Sequence, residues 1–232
     1  MEKLRLEITK GDAVRYISHL DVAGAWEKAV RRAKLPVAYS EGFNPHMKLA
    51  FASALPVGVT GAAEYMDLEL VERVDLAEAM ERLQAVLPEG LAVRAARYMP
   101  QGTPAMMAQI NLVEYEIRLS LAPEQIAEVE ASFNAFNAAE TAPYTKVTPK
   151  SRREIDVKNF VAEPLSWRCE TPGIVLQLRL NVTAKGSVKP GEIVEVLSQN
   201  FALPREIAES ALCHRLGLYV EGKEPWLTPL EV

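Results

Sequence analysis

The order of hydrophobic patterns constrains this chain most: it runs strand, helix, strand, strand, helix, strand, and then the same order recurs. In the first pass Leu4, Leu6 and Ile8 alternate with Lys3, Arg5, Glu7 and Thr9, the period of a half-buried strand. Leu20, Ala23, Trp26 or Glu27, Val30 and Ala33 then follow a helical stripe. Ser18 with Asp21 three residues on opens that helix as a capping box, and Lys34-Leu35-Pro36 closes it. Strand-like residues at 37–39 and 48–52 flank a loop at 40–46. Met66, Leu68 and Leu70 alternate with Tyr65, Asp67 and Glu69. Leu76, Met80, Leu83 and Leu87 mark a second helix, stopped by Pro88 and Gly90, and a weaker strand covers 91–98.

PQGTPAMMAQ reads as a linker, and the order then repeats. Val113, Tyr115, Ile117, Leu119 and Leu121 form a strand. Pro123 opens a helix striped by Ile126, Val129, Phe133 and Phe136. Residues 144–157 form a strand region with a basic bend, and Ile174, Leu176, Leu178, Leu180 and Val182 make the clearest strand of all. Pro190 and Pro204 suit the first turns of two short helices, and 215–221 makes a last strand. The expected fold is α+β, with tandem ferredoxin-like (β-α-β-β-α-β) domains built on antiparallel sheets. The expected boundaries are 1–100, a linker at 101–108, a decorated second unit at 109–222 and a tail at 223–232. In each unit both helices are expected to cover one sheet face and leave the other free.

At 232 residues, 49% hydrophobic and 25% charged, the chain has material for two cores of ordinary globular type. No run approaches the ~18 apolar residues of a membrane span, and the N-terminus lacks the apolar block of a signal peptide. Cys169 and Cys213 are the only cysteines, which fits reduced thiols in a cytoplasmic protein, although a disulfide between them stays open. The net charge of −5 argues against a non-specific nucleic-acid binder. Its distribution is uneven. Residues 1–60 hold nine Lys/Arg against six Asp/Glu, and residues 144–160 hold Lys146, Lys150, Arg152, Arg153 and Lys158 against Glu154 and Asp156. Two basic islands thus stand on an acidic body.

The candidate functional residues concentrate in YISHLDVAGAWEKAVRRAKLPVAYSEGFNPH, which holds two of the three histidines. In its loop, Gly42 admits unusual backbone conformations and Pro45 fixes the chain before His46. Such a loop can present Tyr39 and Phe43 for stacking, Ser40 and Asn44 for hydrogen bonds, and His46 with Lys48 toward a phosphate. Equally, Tyr39 and Phe43 can plug a core edge. Ser18, His19 and the helix start can grip an anion, with Asp21 in a structural role, or Ser18 can simply cap the helix. Arg31 and Arg32 at the helix end either contact phosphate or compensate the macrodipole. Lys150, Arg152 and Arg153 form the second anion candidate, with Asp156 orienting one of them, and Ser187 before Pro190 offers a third. His19 and His46 are the candidate acid–base pair if the loop folds back over the helix. No metal or other cofactor is expected, since His19-x-Asp21 at a helix start is poor ligand geometry. His214 reads as filler.

The stretches ISHLD, RRAKLPVAYSEGFNPH and SRREIDV, with the helix start at Ser187-Val188-Lys189-Pro190, resemble the radical-SAM-linked proteins, a family found beside or fused to B12-binding radical-SAM enzymes. Met47 departs from a proline common in that family. The resemblance implies a radical-SAM enzyme as partner. Two cysteines cannot supply the three thiolates of the radical-SAM cluster, so this chain is not itself the radical enzyme. Sheets of this kind stack single-stranded bases in RNA-recognition domains, and tandem units occur in CRISPR repeat-processing endoribonucleases, an analogy of fold only. The glycine-rich loop of the latter has no match in CHRLGLYVEG. The expected function is therefore an RNA-binding accessory that recognises tRNA or rRNA for a radical-SAM enzyme. The alternatives are a metal-independent endoribonuclease using His19 or His46, and a protein–protein adaptor. The oligomeric state is left open.

Overall fold

The computed structural model describes residues 1–148, 151–220 and 226–232. Helices and strands interleave in a mixed α/β chain, and contacts divide it into two units. The first holds Met1–Ile110 together with Arg215–Val232, and the second holds Asn111–His214. The closing residues therefore pack with the first unit rather than extending the second.

In the first unit, β1 (Glu2–Lys10) lies between β3 (Thr60–Leu70) and β4 (Leu91–Met99), antiparallel to both. The short β2 (Leu49–Phe51) pairs with β3, and so does β10 (Leu212–Tyr219), whose residues from Arg215 onward belong to this unit. Helices α1 (His19–Arg32) and α2 (Leu76–Gln84) cover one side. Leu4, Leu6, Ile8, Met66, Leu68 and Leu70 meet Val22, Trp26, Ala29, Val30, Ala79 and Leu83 there. Full burial of each large apolar side chain contributes about 1.5–3 kcal/mol.

One expected core residue is not in it. Leu20 is 80% exposed, and the buried stripe of α1 starts at Val22. The cap explains the phase: Ser18 accepts the Asp21 amide, which turns Leu20 outward in the first turn. Met47, by contrast, is buried in this core.

The opposite sheet face, expected to be free, is covered. Alternation places Arg5 and Asp67 there in register, with Arg97 of β4 opposite Arg5 on its other side. Arg5 is wholly buried and grips Asp67 at two points, Nε–Oδ1 2.7 Å and Nη2–Oδ2 3.0 Å. Its remaining Nη1 donates to the Pro229 carbonyl at 2.7 Å, and Arg97 donates to the Leu230 carbonyl at 2.6 Å. The C-terminal segment thus lies over the polar row and satisfies its arginines.

In the second unit, β9 (Ile174–Asn181) lies between β5 (Leu112–Leu119) and β8 (Ser166–Cys169), antiparallel to both. Helices α4 (Ile126–Ala138), α5 (Pro190–Asn200) and α6 (Arg205–Glu209) supply Val129, Phe133, Phe136, Ile193, Val196, Leu197 and Ile207 to the buried interior. The basic bend is a hairpin of its own, β6 (Pro143–Thr148) with β7 (Ser151–Asp156), and not a strand of the main sheet. Strand β8 fills that sheet position and carries no sequence signal, because SWRC is short and has no apolar alternation. The expected linker ends in a helical turn, α3 (Met106–Gln109), with Met106 buried. Cys169 and Cys213 are not joined in a disulfide, Cys169 being exposed and Cys213 buried. No helix among the described residues is long and apolar enough to cross a membrane.

Two buried ion pairs hang on β3, Arg5–Asp67 and Arg215–Glu64. Removing one partner of such a pair strands a charge in low dielectric. Arg215→Ala should therefore lower stability by about 3–5 kcal/mol in urea denaturation, and Glu64→Ala added to it should restore part of the loss. Additive losses would show that the pair does not couple.

Candidate functional site

The loop after α1 is built as a clasp. The Ser40 amide donates to the His46 carbonyl at 2.8 Å, and the Ser40 hydroxyl accepts the His46 amide at 3.0 Å. Tyr39 pairs with Met47 just below, and Met47 anchors the base in the core. Gly42 stands at φ +117°, a conformation that favours glycine, with open space where a side chain would point. Residues 41–46 are all exposed, Phe43 completely so. Tyr39 is 45% exposed, so neither aromatic plugs a core edge. Lys48 is committed elsewhere, its ammonium 3.0 Å from the Glu69 carboxylate. Arg31 and Arg32 are exposed in the last turn of α1, without an ion pair among the described residues.

The start of α1 does not form an open anion grip. The Ser18 hydroxyl accepts the Asp21 amide at 3.2 Å and donates to the Asp21 carboxylate at 2.6 Å. A negative group already occupies the helix entrance. His19 turns the other way, inward. It is half-buried, with its ring edge-on to Phe51 at 5.0 Å and 76°. It lines a recess with Lys10, Trp26, Phe51, Ser53 and Glu64, and His46 is not among the lining residues.

This recess is the polar centre that sequence reasoning misses. Lys10 spans it with its ammonium donating to the carbonyls of Arg15, Ile17 and Val59 at 2.9, 3.4 and 3.1 Å. Glu64 takes Arg215 Nε at 2.6 Å and the Nη2 of the same guanidinium on its second oxygen. Gly61 makes room for it, since a Cβ there would lie 2.5 Å from the Glu64 carboxylate. Burial pushes the Glu64 carboxyl up, while the Arg215 fork opposes that push and favours the charged form. Burial lowers the pKa of His19, and the positive Arg215 and Lys10 add to the effect. The one sequence sign is phase: Lys10 continues the alternation of Leu4, Leu6 and Ile8, and Glu64 that of Met66, Leu68 and Leu70, which sets both charges on the apolar face.

The remaining candidates lie in the second unit. Arg152 and Arg153 are exposed, but Arg152 faces Val147 and Arg153 faces Lys146 across the hairpin, so they point to opposite sides. Lys150 lies outside the described residues. Lys146 is held by Glu192 at 3.0 Å and donates to the Ser187 carbonyl at 3.1 Å. Lys158 donates to the Phe136 carbonyl at 2.8 Å and sits over that ring. Asp156 orients no arginine among the described residues; its carboxylate accepts the amides of Ala142 and Lys158 at 2.8 and 3.0 Å. Ser187 is exposed, yet the α5 entrance is occupied by Glu192, which accepts the Lys189 amide at 2.9 Å. The polar sheet face carries ion pairs, Glu114–Arg179–Glu163 and Glu116–Arg168–Glu170–Arg118, rather than stacking aromatics. No group of three or more His, Cys, Asp or Glu side chains among the described residues is arranged to hold a metal ion.

Residues 3–190 match the model of a family described as an uncharacterized protein conserved in bacteria (DUF2344). The chain belongs to that family. The match spans the α1 motif, the loop and the hairpin, and the family description makes no mention of radical-SAM enzymes. No curated protein matches the chain. Among solved structures, a chain of the "Crystal Structure of a Cbf5-Nop10-Gar1 Complex" is similar at a TM-score of 0.46 and 12% identity. The alignment covers 96% of this chain and 50% of that one, so the family member spans half the length of its structural neighbour.

The depressed His19 pKa makes stability depend on pH. The native state disfavours the imidazolium, whereas the unfolded chain takes up its proton near 6.5. The stability tied to neutral His19 is present above that value and is lost as pH falls through it toward the lower native pKa. An NMR titration should place the His19 midpoint below 6.5. His19→Phe should flatten the stability loss of the wild type over that window, and a midpoint at or above 6.5 would contradict the packing described.

Proposed function

We propose that this protein is an RNA-binding accessory, and that the loop at 39–48 is its reading head. The observation that carries the reading is Phe43, fully exposed at the tip of a clasped, glycine- and proline-shaped loop. An apolar ring displayed to water on a rigid mount is the device by which proteins stack unpaired bases, and cations beside it hold the backbone. Arg31, Arg32 and His46 are the cations and polar groups of this head, and Asn44 supplies an amide for a base edge. Arg152, Arg153 and Lys150 provide a second, weaker contact with phosphates. Ser18 and Lys48 drop out of the phosphate roles expected of them because their own neighbours engage them, and Ser187 because Glu192 occupies the α5 entrance.

The strand orders support the finer fold reading. In each unit the first and third strands lie side by side, as a ferredoxin-like β-α-β-β-α-β unit requires: β1 beside β3, and β5 beside β9. Both sheets are covered or ion-paired on their polar faces, so stacking falls to the loop and not to the sheet. The partner is a radical-SAM enzyme acting on tRNA or rRNA in the cytoplasm, a reading that rests on the resemblance of ISHLD and AYSEGFNPH. His19 faces its own recess without His46, so the role is recognition rather than cleavage.

A protein–protein adaptor is the second reading. Tyr16 in the turn before α1 and Leu20 in its first turn, exposed by 72% and 80%, are the apolar surface that favours it.

Fluorescence anisotropy with single-stranded and tRNA-derived RNAs separates the two. Phe43→Ala should weaken binding by about 1–3 kcal/mol, roughly five- to 150-fold. The Arg31→Ala, Arg32→Ala double variant should flatten the salt dependence by roughly 0.7–0.9 log units for each phosphate no longer neutralised. RNA affinity indifferent to both changes, or absent, transfers the loop to the adaptor role.

A further inference from the structure

The recess beneath His19 holds unpaired donors of its own. Trp26 is fully buried in the core and lines the recess, and its indole N–H has no hydrogen-bond partner among the described residues. The hydroxyl of Ser53, which also lines the recess, is buried and equally without one. A buried donor left unpaired is costly, so two that line one recess call for an acceptor. Indole is a donor only, which fixes the polarity of whatever sits there.

Charge narrows the choice. The Lys10 ammonium spends its three N–H groups on carbonyl oxygens and offers the recess charge without hydrogen bonds. Glu64 and Arg215 balance each other, and both Glu64 oxygens are engaged. His19 is neutral at physiological pH by the burial already described. These four are the titratable groups at the recess or paired to it, and their sum is a single positive charge at a recess with two unpaired donors.

Size narrows it further. The inner volume is about 20 Å³, which admits one oxygen-sized atom of a ligand and leaves the rest outside it. A nucleobase is far too large, and a tetrahedral phosphate brings four oxygens and up to two charges. A planar group with one negative charge can place an oxygen against Trp26 and Ser53 while its remainder lies toward His19 and Phe51. We propose that the recess beneath His19 is a binding site for the carboxylate of a small organic acid, with Trp26 and Ser53 as its hydrogen-bond donors.

The test follows the Trp26 indole resonance in ¹H–¹⁵N spectra, assigned by its loss in Trp26→Phe. Formate and acetate should shift it saturably, while chloride at equal ionic strength should not. Ser53→Ala should weaken the saturation roughly tenfold or more, as expected for losing a hydrogen bond to a charged group. Phe43→Ala should leave it unchanged, which keeps this site independent of the RNA reading. An indole resonance unmoved by either carboxylate means the recess holds water only and overturns the proposal. Saturation by inorganic phosphate but not by formate or acetate overturns it as well.

Discussion

The first unit depends on charges buried along β3. Asp67 and Glu64 lie three residues apart on that strand, and each is neutralised by an arginine from another strand, Arg5 of β1 and Arg215 of β10. Both carboxylates would be intolerable alone at this depth. They therefore specify which strands lie beside β3, Asp67 on the face opposite the apolar layer of Leu4, Leu6, Met66 and Leu68, and Glu64 on the same face as that layer, beside Trp26. Apolar contact alone tolerates shifted pairings. A bidentate guanidinium does not.

The same rule of local satisfaction explains why several anion candidates are closed. The two helix starts expected to bind phosphate carry their own carboxylate at the entrance, Asp21 at α1 and Glu192 at α5. A helix start attracts negative charge from the nearest source, and a side chain three residues on is nearer than any ligand. Basic residues behave likewise. Lys48, Lys146 and Lys158 each look free in the sequence, yet each meets an acceptor from a distant segment.

Alternation and helical stripes make most elements legible: β1, α1, β3, α2, β5, α4 and β9 all follow apolar periods that burial enforces. Leu20 misleads because a stripe does not reveal its phase until the capping residue is placed. The hairpin and β8 are easily confused because both are short, and only pairing distinguishes a sheet member from an excursion. In the candidate site, the Ser18 cap and the exposed loop are readable from residue type. The recess is not. Lys10, Glu64 and Arg215 stand far apart in the chain, and a buried pair at such separation leaves no local signature. Trp26 looks like ordinary core, and its indole N–H stands out only because it has no hydrogen-bond partner among the described residues.

The first unit is discontinuous, with Asn111–His214 inserted before its last strand. Synthesis on the ribosome proceeds from the amino end, so β3 emerges with Glu64 long before Arg215 has been made. Through that interval the carboxylate must stay in water, and the strand edge beside it has no permanent neighbour. The nascent first half is thus held incomplete until the inserted unit has been translated, and the final assembly step waits on the last strand to leave the exit tunnel.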